Sequence, residues 1–279
     1  MNRRMISYSL GAAAVAFGMG ACSSDSSTAP GGVTGAEIAA SNRQDAGEGA
    51  ALTVSELAAN DAFIGATANV IKGAGSGSPA ADLSVSCTGP DGMGWYTCTA
   101  VTEFGLTVVR QIRFWEGTAY GLAWNPGVTD SVNHAWTASG TVNSVARPGK
   151  VWTIDDAASG TMRVLPTAAT VNPQHSWSGS ADRHESSSYT MNSVERTFDH
   201  TAHDVVDQVV FQMPRSQNPY PLSGTITRNS TNVFTAGSFT RTVMRMFVVT
   251  FNGTHIAQLM DGALTCDLDL DTGLVSNCH

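Results

Sequence analysis

The sequence predicts a mainly β protein: a single antiparallel meander sheet, strongly curved or partly closed into a barrel, preceded by one N-terminal α-helix. Three observations predict this. From Asp82 onward, short runs rich in Val, Thr, Tyr, Trp and Phe alternate with turn residues, the composition that suits a pleated, half-buried surface. Upstream of Asp82 a single stretch carries a clear helical period. No shift of composition divides the remaining, roughly 200-residue, region, which lies within the range of one all-β domain. Curvature or closure is expected because flat open sheets with this many strands are unusual.

Residues 1–21 have the form of an export signal. Arg3 and Arg4 supply a basic start, Met5 to Met19 an apolar run, and Gly20-Ala21 the small residues of a cleavage site. As a helix the apolar run rises only about 22 Å, short of the roughly 30 Å hydrocarbon core, so a permanent transmembrane span is disfavoured. "MGAC", Met19 to Cys22, resembles a bacterial lipobox, the sequence at which a type II signal peptidase cuts before a lipid-modified cysteine. Ala21 and Cys22 match that pattern; Met19 and Gly20 depart from its commoner Leu and Ala/Ser. The resemblance implies acylation of Cys22, by chains such as palmitate, and the lipid bilayer as a partner. Ser23 after the cysteine, where Asp is absent, implies delivery to the outer membrane, on its periplasmic or its cell-surface face. The polar stretch that follows, "SSDSSTAPGGVTG", is the expected tether.

Five cysteines are present: Cys22, Cys87, Cys98, Cys266 and Cys278. An odd count in an exported chain requires an explanation. Lipidation of Cys22 supplies one and leaves two local pairs, Cys87 with Cys98 and Cys266 with Cys278, able to close in an oxidising compartment. The chain has 15 basic and 23 acidic residues. Without Arg3 and Arg4 the balance is 13 against 23, a net of −10, and there is no basic run. That excludes the electrostatic footprint of a nucleic-acid-binding protein.

The organisation follows in order: signal peptide 1–21, lipidated cysteine and tether 22–52, helix 53–73, and antiparallel β domain 82–279. Thr53 and Glu56 have capping-box spacing, Leu57, Ile64, Ala68 and Ile71 share one helical face, and Gly73 stands where a helix ends. In the last strands, Asn252-Gly253 and Asp261-Gly262 are two-residue hairpin signals. They predict Val248 opposite Ala257 and Ala257 opposite Cys266, with Met246, Val248, Leu259 and Leu268 on one apolar face.

The stretches that look like chemistry are each better read as structure. "CDLDLDTGLVSNC", Cys266 to Cys278, places Thr272 and Cys278 where a calcium loop of the EF-hand kind needs glycine and glutamate. As a hairpin with a loop at Asp271-Thr272-Gly273, it sets Cys266 against Cys278. A turn on "DGMG" likewise sets Cys87 against Cys98. Neither pair has redox Cys-x-x-Cys spacing. His200 and His203, in "FDHTAHD", are the best metal candidates, but on a strand they point to opposite faces, and surface histidines are the expectation. There is no Gly-x-Ser-x-Gly elbow, no Ser-x-x-Lys, and no zinc spacing. "GAGSGSP" lacks the Lys-Ser/Thr of a phosphate loop. Trp95, Trp115, Trp124, Trp136, Trp152 and Trp177 either build the core, their commoner use, or line a sugar platform or lipid cavity.

The expectation is therefore of no enzyme, no catalytic residues, no cofactor and no metal. The chain resembles the predicted β-rich lipoproteins of unknown function from Gram-negative bacteria, with a Ser/Thr-rich tether and a Cys-clipped terminal hairpin. The expected function is that of a membrane-anchored binding module for an apolar ligand inside the curved sheet. The alternative is a structural or adhesive envelope component that contacts envelope proteins and has no small-molecule site.

Overall fold

The computed structural model describes residues 34–71, 86–103, 105–125, 127–144, 150–165, 173–191 and 193–279. The signal, Cys22, the first part of the expected tether (23–33) and the segment 72–85 lie outside the described residues, while the rest of that expected tether, from Gly35, is helix. One helix, α1 (Gly35–Ile71), precedes β1 (Cys87–Thr88), β2 (Tyr96–Cys98), β3 (Val101–Glu103), β4 (Leu106–Glu116) and β5 (Ala119–Gly121). Then come the long strands β6 (Ser131–Asn143), β7 (Val151–Leu165), β8 (Gln174–Met191), β9 (Val194–Gln212), β10 (Ser223–Ala236) and β11 (Phe239–Thr250). The chain ends with β12 (Ile256–Asp261), β13 (Leu264–Asp269) and β14 (Val275–Ser276).

All the strands form one 14-stranded antiparallel sheet in sequence order, with one local complication. The far edge of β4 is tiled by three short strands in turn, β3, β2 and β5, while its other edge pairs along its length with β6. The expected closure is not found. β1 and β14 end the pairing path without meeting, and the sheet is not curled into a barrel. The physical reason lies in α1, whose side chains cover the apolar face that a barrel would otherwise have to bury against itself. Asn60 accepts a hydrogen bond from Arg110 Nε on β4 at 2.6 Å, and Gln44 Oε1 accepts one from the Val275 N–H on β14 at 3.0 Å. Between those limits Leu57, Phe63 and Ile64 join one core with Phe114, Trp177 and Phe247.

The helix also corrects its expected start. It begins at Gly35, where the Glu37 N–H donates to Thr34 Oγ1 at 3.1 Å, so the working Thr-x-x-Glu cap is at 34 and 37. Thr53 and Glu56 are mid-helix and buried. Residues 35–52 hid their helix because the side facing the sheet is polar or small, with Asn42, Asp45, Ala46 and Gly49, and so shows no apolar stripe.

Both disulfides form, with Cα atoms 3.9 Å apart for Cys87–Cys98 and 4.1 Å for Cys266–Cys278. Cys87 pairs directly with Cys98, as the spacing predicts. The C-terminal loop is one residue wider than expected. The Asp269 N–H donates to Leu274 O, Leu268 pairs with Val275, and a left-handed Asn277 restores the offset that brings Cys266 to Cys278. The meander between needs a larger correction. Val248 pairs with Met260, and Phe247 and Val249 are the buried positions of β11, because the connection through Asn252-Gly253 is wider than a two-residue turn. An odd slip moves a strand's whole apolar set to the other face. On β12 and β13 the slip is even, and Ala257, Leu259, Cys266 and Leu268 share the buried face as predicted.

Candidate functional site

The sheet has an inner face under α1 and an outer face open to solvent, and β7 to β10 carry polar residues on both. The inner set is a buried ionic layer. Arg183 Nη2 donates to Asp156 Oδ2 at 2.8 Å and to Glu56 Oε2 at 3.0 Å. Arg228 donates through Nη2 to Glu185 at 2.9 Å and through Nη1 to Asp204 at 3.2 Å. His200 lies beside them, its Nε2 3.5 Å from Arg228 Nη2. Gly49 makes this layer possible, because a Cβ there would collide with the Arg228 guanidinium.

Two guanidiniums thus face four carboxyl groups, and burial decides their protonation. Glu56 is pushed up to about 8, by desolvation first and by neighbouring Asp156 and Asp204, against the pull of Arg183. Glu185 goes the other way, down to about 2, because Arg228, His200 and Arg183 outweigh its desolvation. His200 is lowered from its ordinary value by burial and by Arg228, although Glu185, Asp45 and Asp204 oppose the shift. His134, stacked 4.8 Å from Trp136 and edge-on to Trp177, is lowered to about 3 by burial, with Arg110 adding to it. Burial thus disfavours the charged form of both histidines.

The outer set lines a concavity of about 530 Å³ that includes Asp155, Asp182, His184, Thr201, His203 and Asn229. Strand register builds it from two adjacent ladders. One runs Asp182, His203, Asn229, Met246 across β8 to β11, and the other Asp155, His184, Thr201, Thr231, Met244 across β7 to β11. Each imidazole is held by a carboxylate on a neighbouring strand: His203 Nδ1 is 2.7 Å from Asp182 and His184 Nε2 is 3.0 Å from Asp199. Carboxylates, amide and hydroxyls alternating on one surface can accept and donate hydrogen bonds to a hydroxyl-rich ligand. Three aspartates disfavour an anion.

Two gaps between described residues beneath α1 are of another order. One, bounded by Asn60, Phe63 and Trp136, has no room for water, and the other, bounded by Thr53, Leu57 and Trp177, measures about 10 Å³. Neither admits an apolar ligand.

Of the residues singled out from sequence, Cys22 lies outside the described residues, and the other four cysteines clip the two ends of the sheet. His200 and His203 do point to opposite faces, but only His203 is at the surface; His200 is fully buried, a correction to the expected pair of surface histidines. Among the described residues no three or more His, Cys, Asp or Glu side chains converge as a metal group. Trp136, Trp152 and Trp177 are core. Trp95 and Trp115 instead stand on the outer face around Arg113, whose guanidinium carbon is 4.6 Å and 5.4 Å from their rings. Sequence reasoning missed the ionic layer. Its signal is "SADRHESSS" in β8, a strand with charges on both faces, which an amphipathic strand on an apolar core does not show. Comparison with protein-family models, curated proteins and solved structures finds no match to this chain.

Proposed function

We propose that the chain is an outer-membrane lipoprotein, acylated at Cys22, that binds a polar, hydroxyl-rich ligand such as an envelope saccharide on its open sheet face. The observation that carries this reading is the contrast in room: about 530 Å³ on the polar outer face against about 10 Å³ or less under the helix. An apolar ligand inside the sheet has no such support. Export is supported by two disulfides that use four of the five cysteines and leave Cys22 over. Among the described residues no helix is long and apolar enough to cross a membrane.

Titration calorimetry of the protein with neutral oligosaccharides tests the proposal. Binding is expected, and the Asp155→Asn/Asp182→Asn double variant is expected to lose it. Failure of every neutral saccharide to bind, or undiminished binding by the double variant, overturns the reading.

The structural or adhesive alternative rests on a different observation. Met244, Met246 and Met260 are exposed on the outer face of β11 and β12, an apolar strip of the kind that marks contact surfaces. Both terminal strands of the sheet are two residues long and disulfide-clipped, but residues 239–246 of β11 pair only with β10, so that stretch of edge stays open to such a contact. In that case the strip, and not the concavity, cross-links to envelope proteins.

A further inference from the structure

The two ladders that form the concavity both end in methionine. Met244 and Met246 stand two residues apart on β11, so their side chains leave the same face of the sheet about 7 Å apart. They are 77% and 58% exposed, so packing does not account for either side chain. Met246 is paired with Asn229, and Asn229 with His203 on the next strand. Two strand spacings put the Cα atoms of Met246 and His203 about 10 Å apart. An imidazole Nε2 and a thioether each reach about 4–5 Å from their Cα, which leaves a gap that two metal–ligand bonds of about 2.0–2.3 Å can close above the small Asn229. Met244, one step along the strand, has three rotatable bonds with which to swing in.

His203 is already prepared for this role. Asp182 Oδ1 is 2.7 Å from its Nδ1, so the carboxylate accepts the Nδ1–H. That fixes the tautomer in which Nε2 carries a lone pair, turned away from β8. It is the carboxylate–histidine arrangement that orients metal-binding imidazoles. Two thioethers and one imidazole are a soft donor set. Such a set suits copper(I), for which thioethers are good ligands, and not Mg²⁺ or Ca²⁺, which call for carboxylate or carbonyl oxygens; two neutral thioethers also lack the thiolate or carboxylate charge usual around Zn²⁺.

We propose that His203, Met244 and Met246 form a copper(I) site on the outer face of the sheet, with Asp182 as the positioning residue for His203. The site is independent of the saccharide reading, although it borders the same concavity. Binding is a simple ligation through the Nε2 lone pair and the two thioether sulfurs, with no change of oxidation state.

The test is an anaerobic titration of the full-length protein with copper(I) against the chromogenic chelator bicinchoninate. One copper(I) per chain is expected. Loss of a ligand must cost at least what loss of its orienting partner costs, roughly 10–100-fold. The Met244→Leu/Met246→Leu and His203→Ala variants should therefore each bind at least tenfold more weakly, and Asp182→Asn should weaken binding less. Leucine keeps the apolar area of the strip, so a surface that only docks a partner is not altered by it. Met93→Leu, an exposed methionine in the connection between β1 and β2, should leave copper(I) binding unchanged. If the wild type takes no copper(I) from the chelator, or the double leucine variant holds it as tightly as wild type, the site does not exist. Circular dichroism of each variant guards against loss of fold being read as loss of a ligand.

Discussion

Strands β7 to β10 present ionic groups on both faces, and the two faces obey different physics. On the inner face Arg183 and Arg228 are each shared between two carboxyl groups, with every one of these side chains almost wholly removed from water. On the outer face His184–Asp199 and His203–Asp182 are as short, at 3.0 and 2.7 Å, yet each partner is about half exposed or more. The hydrogen-bond geometry is similar and the solvent is not. A buried ion that loses its partner keeps its full desolvation cost, whereas an exposed one recovers water. The inner layer therefore locks α1 to the sheet, and the outer pairs stay available to a ligand.

The largest effect is expected at the centre of the inner layer. Arg228→Met leaves Asp204 buried without its cation and Glu185 with only Arg183, at 3.8 Å, and should destabilise the protein by about 3–5 kcal/mol. A chemical denaturation midpoint equal to wild type would mean that the layer is wet and the contrast between the faces is false. Next is Gly49→Ala on α1. Alanine is the better helix former, so propensity alone predicts a gain. The Arg228 guanidinium occupies the space of the new Cβ, and overpacking should dominate with a loss of about 1–3 kcal/mol. The sign of that one measurement separates a packed ionic layer from a loosely docked helix.

Protonation also distinguishes the buried layer. Glu56, raised to about 8, holds a proton in the fold that the unfolded chain releases near 4.5, so its contribution to stability falls as pH rises from about 4.5 to 8. His134, lowered to about 3, and His200, also lowered, act the other way: they are neutral in the fold while the unfolded chain binds protons, so stability rises with pH up to about 6.5. The opposing slopes overlap between about 4.5 and 6.5, and above 6.5 Glu56 acts alone. Wild type should lose up to about 2 kcal/mol between pH 6.5 and 8. Glu56→Gln, which imitates the protonated acid, should be level across that window. A variant with the wild-type slope would place the titrating group elsewhere.

Legibility from sequence divides along the same line. Apolar alternation and turn residues are local, and they revealed the β-rich meander, both cysteine pairs and the buried parity of β12 and β13. The register of β11 depended on how many residues the Asn252-Gly253 connection uses, and a slip of three residues there reversed the predicted face of Val248 and Met246. The first half of α1 was illegible for a related reason. A helix read by its apolar stripe needs an apolar partner, and residues 35–52 pack Asn42, Asp45 and Gly49 toward charged side chains from distant strands. Those strands hold Arg183 and Arg228, 134 and 179 residues beyond Gly49 by the numbering, and no local pattern connects them. The outer site was half legible: the His200/His203 spacing was seen, but only the register shows that His203 lines up with Asp182, Asn229 and Met246.

The smallest effect is expected on the outer face, and it is the most discriminating because it is nearly nil. Asp199 and His184 are joined at 3.0 Å, with side chains more than half exposed. An exposed pair of this kind contributes about 0.2–1 kcal/mol at most, and less as salt rises. Asp199→Ala should therefore shift stability by no more than about 0.5 kcal/mol, whereas removing one inner partner costs several times that. The same substitution frees the His184 ring from the partner that orients it within the concavity. Saccharide affinity should then fall while the denaturation midpoint holds. A ligand-binding face must present polar groups that are fixed in direction yet open to exchange water for ligand, and only the outer pairs meet both conditions. Should Asp199→Ala unfold the protein as readily as Arg228→Met, the outer pairs are structural and the polar face has been assigned the wrong role.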